Sequence, residues 1–130
     1  MISDQIASKL QTSSLPRNLG IRVLRALPGD STLEVTVAAE HLNLHGACHG
    51  GLIFTLADTA FGFAANAGDE NAVTQEASIH YVTPARLDEV LTAQATQISR
   101  QGRSAVLDVT VTAGDGRVVA LFRGLARFVG

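Results

Sequence analysis

The segment that most constrains this chain runs from Leu52 to Asn66, directly after the glycine pair Gly50-Gly51. At about 100° per residue, Leu52, Ile53, Phe54, Leu56, Ala57, Ala60, Phe61, Phe63, Ala64 and Ala65 cover roughly two-thirds of a helix circumference. Gly51, Thr55, Asp58, Thr59, Gly62 and Asn66 share the narrow stripe that remains. A helix this apolar is buried, and it carries one carboxylate, Asp58, into the interior. Burying a carboxylate without a partner costs several kcal/mol. No Lys or Arg lies between Arg25 and Arg86, so the sequence offers Asp58 no local cation. A charge held at that cost is a candidate functional group.

The remaining segments supply strands to surround the helix. Apolar residues at 2, 6, 7 and 10 predict a short amphipathic helix over Ile2 to Gln11, within residues 1–12. Ile21 to Leu27 and Thr32 to Val37 flank the turn signal Pro28-Gly29-Asp30-Ser31 and read as a hairpin. Beyond the loop Gly68-Asp69-Glu70-Asn71, Ala72 to Val82 reads as a strand that Thr83-Pro84 terminates. Val90 to Ser99, Ala105 to Thr112 and Val118 to Val129 follow, separated by turns at Arg100–Arg103 and Gly114-Asp115-Gly116. Two strands, one buried helix and four strands joined mostly by hairpins predict an α+β fold with an antiparallel sheet of five to six strands. The sheet must curl around the helix, and the helix surface left over calls for a second copy of the chain.

Composition narrows the function. A length of 130 residues suits one domain over 1–130, and a net charge of −2 provides no electrostatic footprint for nucleic acid or an anionic membrane. No stretch approaches the roughly 20 apolar residues of a membrane span. Asp4 stands where a signal peptide would carry positive charge, and the lone cysteine excludes an internal disulfide framework. The expectation is a cytoplasmic protein.

The string His45-Gly46-x-Cys48-His49-Gly50-Gly51-x-x-Phe54-x-Leu56-Ala57-Asp58-Thr59-Ala60-Phe61 resembles the hotdog-fold thioesterases, specifically the phenylacetic-acid-degradation (PaaI-type) acyl-CoA thioesterases. The likeness extends from the first strand to the closing Val119-Ala120-Leu121-Phe122-Arg123-Gly124. It implies a curved sheet wrapped around one helix, and hydrolysis of acyl- or aryl-CoA thioesters without metal or organic cofactor. It also implies active sites shared across a homodimer, usually within a homotetramer. By position, the resemblance makes Asp58 the catalytic carboxylate and Gly50 the backbone donor to the thioester carbonyl. Asn43 becomes the side-chain partner of that carbonyl or of the attacking water, His49 part of the same loop, and Thr74 a residue that helps place the water. Asp58 and Thr74 would meet Asn43, His49 and Gly50 of the neighbouring subunit.

The chemistry of these residue types agrees. The first turn of a helix has N–H groups without partners and a positive dipole end, and Gly50 and Gly51 let a carbonyl approach closely. Such donors typically stabilise an oxyanion by ~3 kcal/mol. Asp58 can act as a nucleophile giving a mixed anhydride or as a base activating water; the sequence leaves both open. Arg100 and Arg103 are candidate contacts for the phosphates of CoA, because arginine forks match phosphate geometry.

Other readings compete. The four-residue spacing of His41, His45 and His49 resembles a zinc site on a helix, but Asn43, Gly46 and Gly50 break the segment into loop, so no metal site is expected. Cys48 beside His49 suggests a thiol dyad, yet adjacent side chains rarely face each other, and a buried or loop thiol is expected instead. A hotdog enoyl-CoA hydratase or dehydratase would also join a loop histidine to a helix carboxylate. The proline-rich loop of the acyl-carrier-protein dehydratases is absent, since Pro16, Pro28 and Pro84 are the only prolines. A non-catalytic acyl-CoA-binding module would have no need of Asp58.

Overall fold

A computed structural model describes every residue except Gln11. Short helices α1 (Asp4–Ala7) and α2 (Ser14–Asn18) lead into strands β1 (Arg22–Leu27) and β2 (Asp30–Thr36). A single 3-10 turn (Ala39–His41) precedes the central helix α3 (Gly50–Asn66), and β3 (Ala72–Tyr81), β4 (Val90–Gln101), β5 (Ser104–Thr112) and β6 (Val118–Phe128) complete the chain. The helix expected within 1–12 contracts to Asp4–Ala7, and its expected last residue, Gln11, lies outside the described residues. Ile2 is drawn out of that helix into a bridge with Ala26. The second short helix, α2, has no counterpart in the sequence reading.

All six strands form one antiparallel sheet in the order β1-β2-β4-β5-β6-β3. The expected hairpins occur at β1–β2, β4–β5 and β5–β6, but β3 and β4 are not neighbours. Pro84 lacks an N–H and cannot extend the β3 ladder. The chain instead passes across to lay β4 beside β2, while β3 pairs with β6 at the far edge.

One face of the sheet packs on α3. Leu56, Ala57 and Ala60 are wholly buried, and Phe61 and Ala64 nearly so. The alanines let sheet and helix approach closely. Phe61 takes the space left by Gly124, where an added Cβ would stand 2.5 Å from the Phe61 ring. Phe122 meets both Phe54 and Phe61, with ring centroids 5.6 and 5.8 Å apart. Buried Ser31 donates its hydroxyl proton to the Ala60 carbonyl at 2.6 Å, which satisfies the one polar group that β2 sends against the helix. Asn66 joins the end of α3 to the start of β3 by accepting from the Ala72 N–H at 2.8 Å.

The two sheet edges differ. The β1 edge is covered by the N-terminus: Ser3 N–H donates to the Ala26 carbonyl, and Ala26 N–H to that of Met1. The β3 edge has no strand partner among the described residues, and Val73 and Tyr81 on it are 51% and 52% exposed. Long, uncovered edges are ready templates for pairing with another chain.

Candidate active site

The loop before α3 is organised by two side chains. Asn43 Oδ1 accepts from the backbone N–H groups of His45 and Ala47 at 2.8 and 3.1 Å, closing a compact turn. Those two donors identify the oxygen, so the Asn43 amide nitrogen remains available as a donor. His49 caps α3: its Nδ1 accepts from the Gly51 N–H at 2.8 Å. The Gly50 N–H has no acceptor among the described residues. Its carbonyl accepts from the Tyr81 hydroxyl at 3.0 Å. A Cβ at Gly50 would stand 3.2 Å from the Tyr81 ring, and one at Gly51 only 2.9 Å from His49 Nδ1, so both glycines answer a need for close approach. Asn43, Gly50 and Tyr81 line a cleft of ≈ 400 Å³ together with apolar Ile53, Val82 and Pro84.

Asp58 belongs to a different cleft. It lies eight residues along α3 from Gly50, about 12 Å at ~1.5 Å per residue. Its cleft, ≈ 350 Å³, is lined by Thr59, Gly62, Phe63 and Asn66 of α3 and by Leu10, Ser13 and Pro16 of the N-terminal segment. The carboxylate is half-buried, not fully interior as the helical pattern suggested, because the sheet covers only one side of α3. It has no hydrogen-bond or ion-pair partner among the described residues, and burial pushes its pKa above the usual carboxylate value. Nearby hydroxyls are already engaged, with Thr55 donating to the Gly51 carbonyl and Thr59 to that of Thr55.

The remaining candidates are dispersed within one chain. Thr74 pairs across the ladder with Ala126 and so shares the sheet face that meets α3, but it is exposed and lines neither cleft. Arg100 grips Glu70 through its two terminal guanidinium nitrogens, Nη1 and Nη2, at 2.9 and 3.1 Å, and lies over the Phe128 ring. It borders a third cleft beside Ala64 and Ala65, near the opposite end of α3 from Gly50. Arg103 is exposed and makes no direct ion pair among the described residues; the Arg100 hydrogen bond holds the Glu70 carboxyl below its ordinary range, and the Arg103 charge adds to that effect. His41 is buried, with Nδ1 accepting from the Ala38 N–H at 2.9 Å. Among the described residues no three His, Cys, Asp or Glu side chains are grouped to hold a metal ion. Burial pushes the Cys48 thiol up to about 11, which leaves it protonated at neutral pH.

Two features escaped the sequence reading. Tyr81 is the chain's one tyrosine and looked like an ordinary strand residue; its bond to Gly50 needs the fold to join positions 31 apart. The N-terminal wall of the Asp58 cleft had no signal beyond a weak amphipathic pattern.

The family model described as "Thioesterase superfamily" matches residues 45–120, more than half of the chain and the whole span from the His45 loop through α3 to β6. The chain belongs to the thioesterase superfamily. Among its relatives in the superfamily, the Acyl-coenzyme A thioesterase PaaI of Escherichia coli is 36% identical over 121 residues, 92% of this chain and 86% of that protein. The solved structure of E. coli PaaI superposes with a TM-score of 0.93 at 32% identity, covering 97% of this chain and 91% of the other. The α+β architecture is thus the hotdog fold of these thioesterases. A hypothetical thioesterase from Streptococcus pneumoniae, solved with coenzyme A, superposes with a TM-score of 0.81 at 28% identity over 85% of this chain and 89% of its own. Among the described residues of this superfamily member, no helix is long and apolar enough to cross a membrane.

Proposed function

We propose that this chain is an acyl-CoA thioesterase, a single hotdog domain over residues 1–130 that hydrolyses an acyl- or aryl-CoA thioester to the free acid and CoA. One observation carries the reading: in a thioesterase-superfamily chain, the central helix bears a half-buried carboxylate, Asp58, without a partner among the described residues. The likeness to E. coli PaaI supports a phenylacetyl-like acyl group, and the likeness to the streptococcal protein solved with coenzyme A supports CoA as the thiol.

The Gly50 N–H, at the positive end of α3, polarises the thioester carbonyl, and the free Asn43 amide donates to the same oxygen or to the attacking water. His49 holds the loop as the cap of α3. Asp58 attacks the acyl carbon or takes a proton from water. In the first route the carboxylate oxygen bonds the acyl carbon, the carbon–sulfur bond breaks, and water then cleaves the anhydride. In the second, water adds to the acyl carbon as its proton passes to Asp58, the adduct collapses as the carbon–sulfur bond breaks, and the departing CoA thiolate takes up that proton. Thr74 orients the water. Neither route calls for a metal or organic cofactor.

The distance of about 12 Å between Gly50 and Asp58 exceeds what one reacting carbon can bridge through contacts of roughly 3–3.5 Å. A homodimer in which each site takes Asp58 and Thr74 from one subunit and Asn43, His49 and Gly50 from the other resolves the mismatch. The uncovered β3 edge supports that partner, and the homotetramer is a pair of such dimers. Of the two arginines, Arg103 is the better phosphate donor, since Glu70 already engages Arg100. A cytoplasmic setting accords with a lone, unpaired cysteine.

Thiol release from a panel of phenylacetyl-, hydroxybenzoyl- and medium-chain acyl-CoA thioesters, read with a thiol dye, tests the proposal. Release from at least one substrate is expected, at a rate that chelator dialysis leaves unchanged. Loss of enoyl absorbance from an enoyl-CoA added to the panel, with no thiol release from any substrate, would overturn it in favour of a hydratase.

A further inference from the structure

The Asp58 cleft has a wall that does not come from the reaction centre. Its outer side is formed by the segment carrying α1 and α2, through Leu10, Ser13 and Pro16, facing Phe63 of α3. The same four residues line a second cleft of ≈ 220 Å³, whose far side is Ile2, Ile21 and Val23. Leu10 and Phe63 therefore separate two cavities, one open to Asp58 and one apolar and empty of charged groups except at Arg17.

We infer that this N-terminal segment is the acyl-selecting wall of the site, and that Leu10 is the partition limiting how far an unbranched or arylalkyl acyl group extends from Asp58. The inference rests on the thioesterase reading above. A thioester carbon must come within roughly 3 Å of its attacking group. The acyl group running along α3 from that point meets Phe63 after about 7.5 Å of helix, and Leu10 opposite it. Leu10, Pro16 and Phe63 present apolar surface there, beside polar Lys9, Thr12 and Ser13, so the apolar stretch of the acyl group packs against the Leu10–Phe63 partition.

Two further observations support a built wall. It is fastened on both sides: Ile6 is buried against Ala26 and Ala67, Gln5 Nε2 donates to Asp69 at 2.9 Å, and Lys9 Nζ donates to Asn71 at 3.0 Å. Those bonds tie it to the loop after α3, so the wall moves with the helix that carries Asp58. It also lies outside residues 45–120, the span matched by the family model, which contains Asp58 and the Gly50 loop. Asp58, Gly50, His49 and Thr74 fall within that span, whereas Leu10, Ser13 and Pro16 of the wall do not.

The test compares kcat/KM for hexanoyl-, decanoyl- and phenylacetyl-CoA in the full-length wild type and in Leu10→Ala, Leu10→Phe and Leu15→Ala. Leu10→Ala merges the two clefts and is expected to raise the decanoyl-to-hexanoyl ratio about tenfold. Leu10→Phe thickens the partition and lowers the same ratio. Leu15 is exposed and lines neither cleft, so its replacement leaves the ratio unchanged. A loss of packing alone would scale all substrates together, and the ratio separates that effect from selection. Active Leu10 variants with an unaltered ratio would overturn the inference; if Leu10→Ala does not fold, an unaltered ratio in Leu10→Phe does so. Absence of thiol release by the wild type would instead sink the thioesterase reading.

Discussion

Mixing two inactive variants tests whether one catalytic centre draws on two subunits. The first is Asp58→Asn, which keeps side-chain volume and removes the nucleophile or base. The second is Asn43→Asp. Asn43→Ala would be a poorer choice, because it deletes the oxygen that accepts from His45 and Ala47 and leaves two loop N–H groups unpaired. Aspartate preserves that acceptor, removes the amide donor and adds a negative charge that opposes the developing oxyanion. Each single variant should lose about two orders of magnitude or more in kcat, the usual cost of removing an acid–base group or an oxyanion donor. Mixed in equal amounts and allowed to exchange, half of the dimers become hybrids. Each hybrid holds one site with both native residues and one with neither, so about a quarter of the wild-type rate should return. If instead each chain built its own site, every site would lack one residue and nothing would return. Thiol release measures the rate, and native mass spectrometry of one isotopically labelled variant measures exchange. Complete exchange with a rate at the parental floor would refute the shared site, and with it the inference from the spacing of Gly50 and Asp58.

Asp58 also governs pH behaviour. Burial raises its folded-state pKa, so its contribution to stability is fully present below the unfolded pKa and is lost as pH rises through the folded value. Asp58→Asn should therefore raise Tm at neutral pH, and the acid limb of kcat/KM should lie above the ordinary aspartate value of 3.8; a lower Tm or an unshifted limb contradicts the burial argument. Gly124→Ala drives a methyl to within 2.5–2.8 Å of the buried Phe61 ring and should cost about 1–3 kcal/mol, seen as a lower urea midpoint at constant m. An unchanged midpoint would mean that the α3–sheet contact is looser than the Gly124–Phe61 distances imply. Cys48, buried and held protonated with a thiol pushed up to about 11, should resist alkylation at pH 8 in the native protein, and Cys48→Ala should keep activity within a few-fold. Abolished turnover in that variant would restore a thiol mechanism.

What the sequence could determine was whatever depends on near neighbours in the chain. The 3.6-residue period of Leu52 to Asn66 specifies α3, since the side chains that share a helix face lie three and four residues apart. The alternation in Thr32 to Val37 and Ala105 to Thr112 identifies β2 and β5, whose observed burial alternates strictly. The glycine-rich run into Asp58 carries the family resemblance by itself, because the turn, the cap and the helix start all fall within one short segment.

What only the tertiary structure decided was who meets whom. Alternation tells which face of a strand is buried but is silent about which strand lies beside it, so β3 could be read as a strand yet not as the uncovered edge next to β6. Arg100 read as a free phosphate donor, but Glu70, 30 positions away, occupies it. The Tyr81 bond to Gly50 and the Leu10 wall over Asp58 likewise join residues whose spacing follows no local period. Asp58 itself was legible as a carboxylate with no local cation; that no distant arginine pairs with it among the described residues, and how far it is buried, were not. The burial depends on how far the curled sheet and the N-terminal segment reach around α3, and such reach is set by the closure of the whole chain.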